Sequence, residues 1–115
     1  MAGGPPVARR IRRYDAYLVA LDPIQGSEIG KTRPCIVVSP DEINDIVRTI
    51  VVVPLTSTRE RYGFRVPSNF QGREGDLAID HIRSVDRRRL IRRLGPLDPH
   101  MSRLLADELV EMFQF

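Results

Sequence analysis

The chain is short of several residue types, and each shortage excludes a class of structure. It has one cysteine, Cys35, so no disulfide can form within the chain. Its two histidines, His81 and His100, are far apart in sequence and have no cysteine nearby, which argues against a metal site. No apolar run approaches the length of a membrane span, and the N-terminus lacks the apolar segment of a secretory signal. We therefore expect no metal, no cofactor and no membrane association.

The length and the charge pattern describe a single basic domain. A chain of 115 residues is enough for one modest core, and 42% hydrophobic with 29% charged residues is a soluble globular composition. Only one of the 18 basic residues is a lysine, and the arginines concentrate in residues 9–13 and 83–93. Because arginine makes planar, bidentate contacts with phosphate, these clusters favour an anionic partner over a merely solvated basic face.

Apolar patterning predicts a mainly β chain. Residues 1–12 combine small residues, prolines and arginines, which predicts a disordered basic tail before a folded domain over residues 13–115. Alternation predicts a strand over residues 14–21, and apolar runs predict buried strands over residues 35–39 and 47–54. The polar stretch that follows the first of these runs is typical of a turn or a short helix.

Shorter elements and a terminal helix are predicted in the second half. In chain order we expect a strand over residues 64–67 ended by proline, turns over 69–75, a strand over 77–85, a helical turn over 86–90 and an extended segment over 91–94. Asp98 and Pro99 are suited to the start of a helix that runs to about Met112. Its apolar stripe, typical of core packing, contains Met101, Leu104, Leu105, Leu109, Met112 and Phe113. Short strands followed by one helix predict a small, strongly bent antiparallel barrel.

The most informative stretch is residues 21–40, LDPIQGSEIGKTRPCIVVSP. Gly26 and Gly30 indicate a mobile loop that could cover a groove. Pro34 restricts Arg33 to an extended conformation and so fixes the direction of its side chain. A cation held beside such a loop is suited to contact a phosphate. An ordinary surface arginine fits the same residues equally well.

Four sequence blocks occur in a fixed order over residues 14–113. They are LDPIQGSEIGKTRPCIVVSP from Leu21, VVVPLTST from Val51, GREGDLAIDHIRSVDRRRL from Gly72, and GPLDP followed by the helix. In these blocks the chain resembles the MazF/PemK toxins, the endoribonucleases of bacterial type II toxin–antitoxin modules, also called mRNA interferases. The resemblance implies the SH3-like antiparallel β-barrel of the MazF/CcdB group with a C-terminal helix, a homodimer, and a cytoplasmic location. The family usually has a glycine–aspartate pair where this chain has Tyr14 and Asp15, so the start of the first strand is expected to differ.

The resemblance also implies an activity and its residues. The activity is sequence-specific, metal-independent cleavage of single-stranded RNA, in which the ribose 2′-hydroxyl attacks the adjacent phosphate and leaves a cyclic phosphate and a 5′-hydroxyl. By match to the family motif, Arg33 and Thr56 would be the catalytic pair. A guanidinium and a hydroxyl donor are suited to the negative charge that develops on the phosphoryl oxygens. Further RNA contacts are expected from Ser27, Glu28, Lys31, Ser57, Arg59, His81 and Arg83.

The base that takes the 2′-hydroxyl proton is a separate question. Arginine has a pKa about six units above neutral, so its deprotonation would cost roughly 8 kcal/mol. We therefore expect Arg33 to act as a charged stabiliser rather than as the base. Glu28, His81 and water remain the candidates, and a histidine with an ordinary pKa is suited to the task.

A partner and two alternatives complete the expectations. The resemblance implies a cognate MazE-like antitoxin whose acidic, disordered tail would compete with RNA for the arginine-rich surface. One alternative is a gyrase poison of the CcdB branch, which predicts a tryptophan near the C-terminus, and the chain has none. The other is a binding-only barrel module, in which Arg33 and Thr56 would be dispensable.

Overall fold

The computed structural model describes residues 10–21, 32–57 and 64–115. The strands in this part of the chain are β1 (Asp15–Ala20), β2 (Thr32–Val37), β3 (Thr49–Thr56), β4 (Arg65–Phe70), β5 (Arg73–Ala78), β6 (Arg83–Asp86) and β7 (Leu90–Pro96). The helices are α1 (Asp41–Asn44) and α2 (Pro99–Phe113), with 3-10 turns at Ile79–His81 and Arg87–Arg89. None of the helices in these ranges is long and apolar enough to cross a membrane.

The strands form one antiparallel sheet in the order β4-β5-β3-β2-β1-β7. β6 also pairs with β3, so β3 is bordered by β2 on one side and by β5 and β6 in succession on the other. No ladder joins β4 to β7 among the described residues, so the sheet is open and a closed barrel is not confirmed. The mainly β architecture with a C-terminal helix is confirmed.

Strand residues alternate between two apolar clusters, one on each face of the sheet. In β2, Ile36 packs in the first cluster, whereas Cys35 and Val37 pack in the second. In β3, Val53 packs in the first cluster and Val52 in the second. All five side chains are fully buried. Both faces of the central strands are therefore covered, as their continuous apolar runs predicted.

Most predictions for the first half of the fold are confirmed, with small shifts at the ends. β1 lies in the range predicted from alternation, and β3 begins within its predicted range of residues 47–54 but continues to Thr56. β2 begins at Thr32 rather than at Cys35, because Arg33 and Pro34 still pair with β1. Helix α1 forms where a turn or a short helix was predicted.

Two predictions for the β4–β5 region are wrong. β4 does not end at Pro67 but continues to Phe70, which is tolerated because β4 is the outer strand and a proline there breaks no central ladder. The turn predicted over residues 69–75 is confined to Gln71 and Gly72, whose φ angles of 53° and 84° fit a type I′ hairpin turn. The rest of the predicted turn belongs to β4 and β5.

The strand predicted over residues 77–85 is also interrupted. The 3-10 turn at Ile79–His81 separates β5 from β6, although both strands border β3. The next elements agree with prediction, since a single 3-10 turn at Arg87–Arg89 leads into the extended strand β7. The Asp86 carboxylate caps that turn by accepting the backbone N–H of Arg88 at 2.8 Å.

Helix α2 begins as predicted and packs on the first cluster. Asp98 accepts the backbone N–H of Met101 at 3.1 Å, and Pro99 is the first helical residue. The members of the apolar stripe that contact the core are Met101, Leu105, Leu109 and Met112. The prediction that the stripe packs in the core is wrong for Leu104 and Phe113, which are 37% and 68% exposed.

The folded domain starts before residue 13. Ile11 is buried in the second cluster, and its carbonyl accepts the side-chain amide of Asn44 at 3.2 Å. The prediction of a disordered tail over residues 1–12 is therefore wrong for residues 10–12. Residues 1–9 lie outside the described ranges.

Tyr14 takes up an unusual backbone conformation where the family pattern has glycine. Its φ angle is 72°, in the left-handed region that glycine adopts without strain. The next residue, Asp15, is buried and pairs with Arg93 at 2.8 Å, and Arg13 lies over the Tyr14 ring at 5.9 Å. The side-chain contacts around the tyrosine hold a turn that a glycine would form more easily.

Candidate active site

The pairing of β2 with β3 brings Arg33 and Thr56 together. Cys35 lies opposite Pro54, and the ladder between the two strands stops there, beside Pro34 and Pro54, which have no N–H to donate. Continuing the β2–β3 register by two residues past Cys35 and Pro54 places Arg33 opposite Thr56. Directly opposed residues of antiparallel strands project from the same face of the sheet. The guanidinium and the hydroxyl thus share one end of the sheet.

A cavity of about 240 Å³ opens beside this pair. Arg33, Thr56 and Ser57 line it together with residues of the β4–β5 hairpin, which are Ser68, Phe70, Arg73, Glu74 and Gly75. Thr56 and Arg33 are half-buried, whereas Ser57 is exposed. The end of the sheet therefore offers a cavity whose lining contains two arginines, three hydroxyl residues, one glutamate and one aromatic ring.

Thr56 is held from the β5 side. It lies directly opposite Asp76, whose backbone carbonyl accepts the Thr56 hydroxyl at 3.5 Å. The neighbouring Gly75 lets the strands approach this closely, because a Cβ at that position would overlap the Thr56 carbonyl oxygen. The position of the hydroxyl thus depends on the backbone of β5.

An ion network joins β4, β5 and the 3-10 turn that follows β5. Two of its three side chains are buried, and the third, that of Asp80, is 27% exposed. Arg65 donates from Nε and Nη2 to the two carboxylate oxygens of Asp80 at 2.6 and 3.2 Å. Its Nη1 lies 3.6 Å from the carboxylate of Asp76. The side chains of Arg65 and Asp76 are only 7% and 1% exposed. The hydrogen bonds from Arg65 lower the pKa of Asp80.

Arg83 supplies a second positive charge near the pair. Arg83 lies opposite Val52, and Val52 packs in the second cluster with Cys35. Burial raises the pKa of the Cys35 thiol to about 12, while the charges of Arg33 and Arg83 oppose that shift. Both guanidinium groups therefore act on the same sulfur, and Cys35 is the buried apolar residue that its strand predicted.

The remaining predicted RNA contacts are not brought into the same cavity. His81 follows β5 on the 3-10 turn, its side chain is 64% exposed, and its Nε2 lies 3.4 Å from the Asp80 carboxylate. It does not line the cavity beside Arg33. Four other predicted contacts lie outside the described residues: Ser27, Glu28, Lys31 and Arg59.

Part of the second arginine cluster stabilises the fold, which sequence reasoning did not foresee. Arg87 donates to the backbone carbonyls of Asn44 and Val47 at 3.0 and 3.1 Å. Arg89 donates to the Ala20 carbonyl at 3.1 Å. Arg88 and Arg93 form ion pairs with Asp86 and Asp15. The arginine content of residues 83–93 therefore overstates the surface available to an anionic partner.

Comparison with known proteins identifies the family of this chain. Residues 12–113 match the family model described as "PemK-like, MazF-like toxin of type II toxin-antitoxin system". The chain belongs to this family. In the described ranges no group of three or more histidine, cysteine, aspartate or glutamate residues could hold a metal ion.

Solved structures of MazF proteins share the fold. MazF from Deinococcus radiodurans is 25% identical, with a TM-score of 0.77 over 93% of this chain and 99% of that one. A MazE–MazF complex from the same organism is 25% identical, with a TM-score of 0.76 over 90% and 96% of the two chains. An endoribonuclease from a Mycobacterial species, solved with its cognate antitoxin, is 22% identical, with a TM-score of 0.72 over 88% and 92%.

Sequence reasoning missed the residues that the β4–β5 hairpin adds to the site. Phe70, Gly75 and the ion network around Arg65 were not singled out, because this segment was interpreted as a short strand followed by turns. The signal was the dipeptide Gln71–Gly72, since a two-residue turn there places residues 65–70 directly beside residues 73–78.

Proposed function

We propose that this toxin is a sequence-specific, metal-independent endoribonuclease with Arg33 and Thr56 as its catalytic pair. The observation that carries the proposal is that Arg33 of β2 and Thr56 of β3 line the same cavity at one end of the sheet. The 2′-hydroxyl oxygen attacks the adjacent phosphorus, and the bond to the 5′-oxygen breaks. The products are a 2′,3′-cyclic phosphate and a 5′-hydroxyl, and cleavage of mRNA in the cytoplasm would stop translation.

The two side chains have complementary roles. The charged guanidinium of Arg33 stabilises the negative charge that builds up on the phosphoryl oxygens. When RNA binds, the Thr56 hydroxyl turns its single proton from the Asp76 carbonyl to the same phosphoryl group. Arg83, which lies opposite Val52 of β3, is suited to attract the RNA backbone by its charge. Ser57 borders the cavity next to Thr56 and is suited to a further phosphate contact.

The acceptor of the 2′-hydroxyl proton is Glu28, His81 or water. His81 is exposed, and its Nε2 lies 3.4 Å from the Asp80 carboxylate. A pH–rate profile of His81→Gln distinguishes these candidates. Loss of a limb of the profile assigns the base to His81, and an unchanged profile removes it.

Cleavage of a long RNA in the presence of a chelator tests the proposal. The wild-type chain should cut at a restricted set of sites, and both Arg33→Ala and Thr56→Ala should lower the rate by about a hundredfold or more. Arg33→Lys should also lose most of the rate, because lysine cannot make the bidentate contact. Arg88→Ala is the control, since Arg88 is exposed and its ion pair lies outside the cavity.

Three outcomes would contradict the proposal in different ways. Loss of wild-type cleavage on chelation would mean that a metal takes part. Near-wild-type cleavage by Arg33→Ala and Thr56→Ala would move the active site elsewhere. RNA binding without any cleavage would favour the binding-only alternative.

Dimer formation and antitoxin binding extend the proposal. The related Deinococcus radiodurans MazF was solved together with MazE, which supports a MazE-like partner for this chain. An acidic antitoxin tail would be attracted by the arginine-rich surface and would exclude RNA from it. Light scattering should give twice the 13.1 kDa mass of one chain, and an acidic antitoxin peptide should inhibit cleavage competitively.

A further inference from the structure

The side chain of Arg65 connects two parts of the proposed site. Through Asp80 it reaches the turn that carries His81, and the Asp80 carboxylate is 3.4 Å from the His81 imidazole. Through Asp76 it reaches β5 at the residue whose carbonyl accepts the Thr56 hydroxyl. The Arg65 guanidinium thus connects β5, which accepts the Thr56 hydroxyl, to the 3-10 turn that carries His81.

Stability alone does not explain an ion network in which the side chains of Arg65 and Asp76 are buried. Removing charged groups from water is costly, and such a pair is often no better for stability than an apolar replacement of similar volume. Its geometry, by contrast, is restrictive. The side-on fork to Asp80 and the third contact to Asp76 fix the guanidinium plane, which in turn fixes the two carboxylates relative to each other.

We propose that Arg65 is a positioning residue that holds the Thr56 side chain in the χ1 rotamer from which its hydroxyl can turn to the phosphate. Asp76 and Asp80 transmit this effect, because they join Arg65 to β5 and to the 3-10 turn. The proposal deepens the assignment of Thr56 as a catalytic residue and rests on that proposed function. It requires no contact between Arg65 and RNA, and the 7% exposure of the Arg65 side chain agrees with this.

The chain contains a matched control for this network. Arg93 makes the same side-on fork to a carboxylate, with Nε and Nη2 at 2.8 and 3.2 Å from Asp15. The Asp15 side chain is 9% exposed, and the pair joins β7 to β1. Neither residue lines the cavity beside Arg33. Arg93→Met therefore breaks a similar fork without touching the proposed site, although here the carboxylate is the more buried partner and the Arg93 side chain is 33% exposed.

The first measurement does not depend on RNA cleavage. Three-bond couplings from the Thr56 methyl carbon to its backbone carbonyl carbon and nitrogen report the χ1 rotamer in the free protein. We expect one rotamer in the wild-type chain and in Arg93→Met. In Arg65→Met we expect averaged couplings. Asp80→Asn keeps the shape of the side chain and removes the charged fork, so it provides a second variant that should fold if Arg65→Met does not.

The second measurement is single-site RNA cleavage at a temperature where all variants are folded. A positioning role predicts that kcat falls by about tenfold or more in Arg65→Met and Asp80→Asn while KM changes by less than about threefold. Arg93→Met should keep both values. If the network serves only to stabilise the fold, the variants should contain less folded protein, but kcat per folded molecule should not change.

The two proposals can fail separately. If the variants of Arg65 and Asp80 retain a single Thr56 rotamer and wild-type kcat, the positioning role is wrong while the ribonuclease assignment stands. If the wild-type chain cleaves no RNA, the ribonuclease assignment is wrong, and the rotamer measurement still decides whether Arg65 orients Thr56.

Discussion

The backbone carbonyl of Asp76 accepts the Thr56 hydroxyl at 3.5 Å, and the two residues are directly opposed in the β3–β5 ladder. This pairing places the hydroxyl at the end of β3, where β5 takes over from β6 as the partner strand on that side. The chemistry proposed for Thr56 therefore depends on how closely β5 can approach. Gly75, the neighbour of Asp76, controls that approach.

Replacement of Gly75 by alanine should disturb the site and the fold together. The added methyl group overlaps the Thr56 carbonyl oxygen, so β5 must move away from β3. We expect a loss of about 3 kcal/mol in the free energy of unfolding, at the upper end of overpacking effects. Urea unfolding measures it, with Ser84→Ala on the exposed face of β6 as the control. A stability within about 0.5 kcal/mol of wild type would show that the close approach is not required.

Asn44 should be required for the docking of the N-terminal segment. Its side chain is fully buried, donates to the carbonyls of Ile11 and Ser39 at 3.2 and 2.9 Å, and accepts the Ser39 hydroxyl at 2.6 Å. Asn44→Ala leaves these groups buried without their partner, at a cost of about 3 kcal/mol. Amide exchange should also increase around Ile11. The exposed Glu42→Ala on the same helix is the control, and equal effects of the two variants would contradict the role of Asn44.

The contribution of the Arg65–Asp80 pair to stability should depend on pH. Hydrogen bonds from Arg65 lower the pKa of Asp80 in the folded chain. A carboxyl group with a lowered folded pKa stabilises the fold above its unfolded pKa of about 3.9, and this stabilisation is lost as the pH falls through the folded pKa. The difference in the free energy of unfolding between wild type and Arg65→Met should therefore be larger at about pH 7 than at about pH 2.5. Chemical unfolding at both pH values measures it.

The exposed pair of Arg88 and Asp86 is the control for this pH effect. The hydrogen bonds from Arg88 also lower the pKa of Asp86, but the Arg88 side chain is 82% exposed. Solvent screens such a pair, so Arg88→Met should change stability little at either pH. A gap for Arg65→Met that stays constant between the two pH values would show that Asp80 is not the partner responsible.

Cys35 should be inert in the folded chain. The thiol is fully buried, and its pKa is raised to about 12 by burial, so very little thiolate forms at mild alkaline pH. Alkylation by iodoacetamide at about pH 8 should proceed only in denaturant, where the thiol has its ordinary pKa of about 8.5. Mass spectrometry of the native and denatured chains measures the difference. Rapid alkylation of the native chain would contradict the burial of the residue.

The sequence predicted the elements whose local pattern is strong. The alternation of β1, the apolar runs of β2 and β3, and the cap formed by Asp98 are all in the structure, because each depends on neighbouring residues alone. The β4–β5 hairpin was missed because Pro67 and Gly75 resemble turn residues in isolation. Whether such residues fit in a strand depends on tertiary context. Pro67 fits because β4 is the outer strand, and Gly75 fits because the backbones of β5 and β3 approach closely there.

The site could be predicted only in part for the same reason. The family motif singled out Arg33 and Thr56, and the strand register brings them to one end of the sheet. The network around Arg65 joins residues from β4, β5 and the following 3-10 turn, and no spacing along the chain indicates it. Ion pairs from separate strands depend on register, which the sequence defines only once the turn is located correctly.

The most direct test of the central claim is the cleavage of an RNA in which a single nucleotide is changed. The substrate carries a 2′-deoxynucleotide on the 5′ side of one mapped cleavage site, and the reaction contains a chelator. Because Arg33 and Thr56 are proposed to stabilise attack by that 2′-hydroxyl, cleavage should stop at the modified site and continue at unmodified sites in the same molecule. Cleavage of the modified site at the unmodified rate would contradict the mechanism.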